Sequence, residues 1–74
     1  SSELLGFNVV HVTSGEVIGK ILRFEEGPQS RLIVGGPGGE EYEIPFVKPI
    51  IHRVSRETNE VVIDPPEGLL ELGT

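Results

Sequence analysis

The sequence predicts an all-β fold: a small six-stranded antiparallel β-barrel with a short C-terminal helical turn. Three observations carry this expectation. Ten glycines and six prolines in 74 residues cut the chain into pieces too short for long helices. β-Branched and aromatic residues gather in six short runs, with turn signals between them. An open sheet of such short strands would expose unpaired edges, which closure into a barrel removes.

The strands are read in order. Phe7-Asn8-Val9-Val10-His11-Val12 is a β-branched run, and Thr13-Ser14-Gly15-Glu16 is the turn after it. The second strand, Val17 to Glu25, loses its alternation between Ile21 and Leu22, with Gly19 nearby, which predicts a bulge or sharp bend. Glu26-Gly27-Pro28-Gln29 breaks the chain before a short third strand, Arg31 to Val34. Gly35-Gly36-Pro37-Gly38-Gly39 is read as a hairpin loop. A phosphate-cradling loop needs Gly-Lys-Ser/Thr and a following helix, whereas Glu40-Glu41 follow here and would repel phosphate. Glu41-Tyr42-Glu43-Ile44 forms the fourth strand, and Pro45 ends its ladder or puts it at an edge. After the connector Phe46-Val47-Lys48-Pro49, Ile50 to Val54 is the fifth strand and Glu60-Val61-Val62-Ile63 the sixth, joined by the polar turn Arg56-Glu57-Thr58-Asn59. Pro65-Pro66 forbids continuation. Glu67 to Leu72 is expected to make one helical turn and dock Leu69, Leu70 or Leu72 over an open end of the barrel. The inward set is read as Val10, Val12, Ile21, Leu32, Val34, Ile44, Phe46, Val54, Val61 and Ile63.

A chain of 74 residues makes one small domain, with an expected radius of gyration of about 11 Å. It has no cysteine to form a disulfide or thiolate metal site. Its longest apolar runs are two or three residues, whereas a membrane-spanning helix needs about 20, and the acidic start lacks the basic region of a signal peptide. The net charge is −6, and the imbalance is uneven. Residues 40–74 set eight acids against Lys48, Arg53 and Arg56. Binding along a phosphate backbone calls for a basic face, so this charge argues against RNA as the main ligand and for a basic protein partner.

Catalysis finds little support. Ser1, Ser2, Ser14, Ser30 and Ser55 lie at the terminus or at turns, with no Gly-x-Ser-x-Gly elbow. His11 and His52, the two imidazoles, sit in strand runs and share no ligand spacing with carboxylates. The adjacent acids Glu25-Glu26 and Glu40-Glu41 would point to opposite faces of a strand and are read as solvated charge. No enzymatic activity, cofactor or metal is expected. Apolar groups hard to bury in so small a barrel are candidate protein-binding residues: Phe7, Tyr42, Val47, Ile50 and Leu72.

Several segments together resemble a known family. Leu5-Gly6, Val10, the Gly15 turn and Ile18-Gly19-Lys20-Ile21 resemble the opening of a PRC-barrel domain, and Leu32-Ile33-Val34 its third strand. Glu43-Ile44-Pro45-Phe46-Val47 with Ile50-Ile51 and Val54, and the ending Val62-Ile63-Asp64-Pro65-Pro66-Glu67-Gly68-Leu69-Leu70-Glu71-Leu72, resemble the C-terminal PRC-barrel half of the RimM ribosome maturation factors. That resemblance covers residues 4–72. It implies one PRC-barrel-like domain over residues 1–74, the C-terminal half of a two-domain protein. It further implies a non-catalytic, cytoplasmic and monomeric assembly factor for the small (30S) ribosomal subunit. Such a factor contacts the head protein numbered nineteen on the immature 30S subunit and supports head maturation and 16S rRNA processing. Direct RNA binding by this domain alone is expected to be slight, and no membrane association is implied. The family commonly has a pair of tyrosines before the Leu-Gly segment, where this chain has Ser1-Ser2, and often Asp at the position of Ser55. A scaffold module of a membrane or photosynthetic complex is the competing reading, and the Pro-Pro-Glu-Gly-Leu-Leu ending favours the maturation factor.

Overall fold

A computed structural model describes residues 2–66. A 3-10 turn, Ser2–Leu4, precedes six strands: β1 (Asn8–His11), β2 (Val17–Glu25), β3 (Arg31–Gly35), β4 (Glu41–Pro45), β5 (Ile51–Ser55) and β6 (Glu60–Ile63). The anticipated C-terminal helical turn lies outside the described residues. Punctuation falls where the chain chemistry requires it. Gly15 takes φ 75° in the β1–β2 turn, and Asn59 takes φ 57° just before β6. Both are left-handed conformations, which glycine adopts freely and asparagine tolerates.

The strands form one sheet in the order β4-β3-β2-β1-β6-β5. Every pair is antiparallel except β1 with β6, which is parallel. This corrects the expectation of a closed, wholly antiparallel barrel, for β4 and β5 are left as edges. The reason is directional: with β1 and β6 parallel, β4 and β5 run the same way. A directly linked parallel pair needs a crossover of about a dozen residues or more, and only residues 46–50 separate β4 from β5.

Curvature gathers the sheet around one core in place of closure. Each register shift leaves one residue unpaired: Ile18 opposite β1, Leu22 opposite β3 and His52 opposite β6. Such bulges bend and twist a strand. The bulge at Leu22 falls where the alternation fails in the sequence. The radius of gyration is 11.1 Å.

The inner face buries Val9, Ile21, Leu32, Val34, Ile44, Val61 and Ile63, with Leu4 and Phe7 packed onto the same cluster. The Phe7 amide donates to the Leu4 carbonyl, and the Phe7 carbonyl accepts from Ile21. Four members of the predicted inward set sit differently. Val10 and Val12 are half-buried, because Val9 takes the inward parity of β1 beside Val61. Val54 faces inward opposite Val61, yet it stays exposed because β5 is an edge. Phe46, beyond Pro45, is 37% exposed and meets Phe24 edge to face, with ring centroids 5.4 Å apart. On the outer face Ile33 and Val62 are buried as well. Ile33 stands in register between Arg23 and Glu43, long side chains whose stems can cover it.

Candidate functional site

Four of the five residues singled out from the sequence lie among the described residues, and none of the four is exposed. Phe7 belongs to the core, at 9% exposure, so its ring is out of a partner's reach; the backbone bonds to Leu4 and Ile21 hold it there. Tyr42 and Ile50 are half-buried and pack against the core. Val47 is half-buried in the turn after β4, where its carbonyl accepts from the amides of Ile50 and Ile51. Leu72 lies outside the described residues.

Among the described residues the exposed large apolar side chains are others: Val17, Leu22, Phe46 and Val54 line two openings, and Leu5 lies outside both. The larger, a groove of about 670 Å³, runs along Val17, Gly19 and Leu22 of β2, Gly35 of β3, and Gly36 and Pro37 of the loop. Asn8, Lys20, Glu40 and Glu41 rim it. Val17 and Leu22 are 52% and 46% exposed. The bulge turns Leu22 to the outer face, above Gly35, where a Cβ would come within 2.9 Å of it. The loop is braced by Glu40, whose carboxylate accepts from the Gly38 amide at 3.0 Å, while its carbonyl accepts from Gly36.

The second opening lies between Leu4, Phe24, Phe46 and Val54, with Glu3, Glu26 and Arg56 around it. Arg56 and Glu3 pair across its rim at 2.5 Å.

On the outer face the charged groups that β4 presents are only acids, Glu41 and Glu43. Arg23 bridges Glu25 and Glu41 at 3.5 and 3.6 Å, and Arg31 holds Glu25 at 3.1 Å. Glu43 enters no ion pair among the described residues. His11 Nδ1 accepts from the Thr13 amide at 3.1 Å, and His52 is exposed at its bulge. No cluster of three potential metal ligands occurs among the described residues, and no helix there is long and apolar enough to cross a membrane. An apolar floor beside carboxylates can seat a side chain of a basic partner.

Sequence reading missed Val17 and Leu22. The lost alternation at Ile21-Leu22 was the available signal, because an unpaired residue reverses the facing of its neighbours.

Six strands coiled around one buried face, with one internal parallel pair, define a β-domain of the PRC-barrel class. The chain matches the family described as "RimM PRC barrel domain" over residues 1–69, and it belongs to that family. It is 42% identical over 71 residues to the ribosome maturation factor RimM of Thermobifida fusca, covering 96% of this chain and 41% of that protein. Identity to the RimM of Corynebacterium diphtheriae is 45%, over 95% of this chain and 42% of that one. A crystal structure from Pseudomonas aeruginosa, described as a candidate 16S ribosomal RNA processing protein RimM, superposes with a TM-score of 0.77. That match has 17% identity and covers 86% of this chain and 42% of the other. At that identity the likeness concerns the fold alone. The chain spans about two fifths of the length of these curated relatives.

Proposed function

We propose that this chain is the protein-binding, non-catalytic domain of a maturation factor for the small ribosomal subunit. It contacts the basic head protein numbered nineteen on the immature 30S subunit and so supports head maturation and 16S rRNA processing. It does this as a monomeric C-terminal half, working in the cytoplasm beside an N-terminal domain. Membership of the RimM PRC-barrel family supports the reading, as do relatives named ribosome maturation factor. The observation that carries it is the groove of Val17, Leu22 and Pro37 with Glu40 and Glu41 on its rim. Apolar anchors supply contact energy on desolvation. The acids steer a cationic partner and repel RNA, through a field that decays over about 8 Å at physiological salt.

Amide chemical-shift mapping of the labelled chain tests this, with the purified head protein and, separately, a small-subunit RNA fragment. Shifts at Val17, Leu22, Glu40 and Glu41 with the protein alone are expected. Tight, salt-sensitive RNA binding with no response to the protein overturns the reading.

A further inference from the structure

Among the described residues β4 is an edge strand, with no strand paired to its outer side. Two bonds fix its hydrogen-bonding phase: Gly36 donates to the Glu40 carbonyl at 2.8 Å, and Phe46 donates to the Ser30 carbonyl at 2.9 Å. Antiparallel ladders alternate bonded and non-bonded pairs. The register Val34↔Tyr42 and Leu32↔Ile44 therefore falls on bonded pairs, and Gly35↔Glu41, Ile33↔Glu43 and Arg31↔Pro45 on non-bonded ones. The N–H and C=O of Glu41 and Glu43 thus point away from β3. Among the described residues no bond to another element occupies them. Pro45 contributes only a carbonyl and bounds the open stretch.

We infer that β4 takes an added antiparallel strand from a basic protein segment in which Lys or Arg alternates with apolar residues. Main-chain bonds give affinity in strand addition, and alternate side chains give specificity. Residues opposite Glu41 and Glu43 exchange both backbone bonds with them and project onto the same outer face. There Glu43 has no cation, and Glu41 shares Arg23 at 3.6 Å, so a basic residue is matched at both positions. The residue between them lies opposite Tyr42, on the inner face, where an apolar side chain extends the half-buried ring's surroundings. A second copy of β4 is disfavoured, since Glu41 and Glu43 would face their own kind. The β5 edge is less suited, because His52 bulges out of its ladder.

The inference rests on the proposed partner class, and the two fail separately. The probe is a terminally blocked eight-residue peptide alternating lysine with valine, titrated into the labelled chain. In the free chain the Glu41 and Glu43 amides should exchange rapidly and become protected on binding. Methylating the lysine backbone nitrogens should weaken the peptide by about tenfold or more, and methylating the valine nitrogens should not. Glu43→Pro removes an outward donor and no internal bond, so it should abolish protection at Glu41, while Glu43→Gln only weakens binding. Equal affinity of the two methylated peptides overturns the inference. So do slow exchange in the free monomer, which would mean the chain's own residues cover the edge, and concentration-dependent dimerisation through β4. If Glu43→Pro fails to fold, the methylated pair decides. Undiminished head-protein binding by a folded Glu43→Pro chain overturns strand addition and leaves the maturation reading standing. A head protein that binds neither chain, with the peptide discrimination intact, overturns only the partner reading.

Discussion

Gly19 lies against the backbone of Gly35 so closely that a Cβ on Gly19 would collide with the Gly35 carbonyl. A Cβ on Gly35 would instead meet the side chain of Leu22, at 2.9 Å. The two glycines thus bring β2 and β3 together beneath the groove for different reasons. Backbone cannot move aside, so Gly19→Ala should cost about 2–3 kcal/mol, at the upper end of the usual range for overpacking. Leucine can change rotamer, so Gly35→Ala should cost about 1 kcal/mol. Urea unfolding measures both, and equal losses would contradict the backbone explanation.

Phe46 marks where local pattern and tertiary position diverge. Its parity with Ile44 predicts a core ring, and loss of a buried phenylalanine costs about 3–5 kcal/mol. The structure leaves it 37% exposed against Phe24. Phe46→Ala should therefore cost about 1–2 kcal/mol, partial burial plus an edge-to-face pair. Leu32→Ala, fully buried, should cost about 2–5 kcal/mol. The two melts compared side by side check the ordering.

Those positions show what the sequence made legible. Local chemistry placed Val17–Glu25 and Glu60–Ile63 at the observed boundaries, because turns and β-branched runs are near-neighbour signals. Pairing of β1 with β6 joins segments about fifty residues apart with no turn between them, so the parallel register and open edges were hidden. In β1 the adjacent Val9 and Val10 are chemically equivalent, and only the neighbour β6 decides which turns inward. The candidate site was less legible still. Phe7 reads as a surface group and is core, whereas Leu22 reads only as part of a strand and is exposed on its outer side. Acidity of the fourth-strand region was readable directly, since charge needs no register.

Asn59 holds φ 57° while its carbonyl accepts the Asn8 amide at 2.9 Å, tying the β5–β6 turn to β1. Asn59→Gly should be nearly neutral. Asn59→Ala should lose about 1 kcal/mol, the cost of a left-handed conformation for a residue with a Cβ and no local polar group. Denaturation midpoints at unchanged slope would report this directly. An Ala variant as stable as the Gly variant would show that the turn can flip without loss.

Leu22 separates stability from binding. It is 46% exposed and unpaired in its ladder, so Leu22→Ser should lower stability by about 1 kcal/mol, since half of its apolar area already meets water. Binding of the head protein should weaken by about tenfold, or about 1.4 kcal/mol, if Leu22 is an anchor in the groove. Glu40→Gln should act differently, slowing association and flattening the salt dependence while barely changing dissociation, because rim charges steer encounter. Calorimetry on Leu22→Ser and stopped-flow kinetics on Glu40→Gln separate the two roles. A Leu22→Ser chain that binds as tightly as the parent would move the anchor to the second opening beside Phe46 and Val54, where Phe46→Ala would then carry the loss.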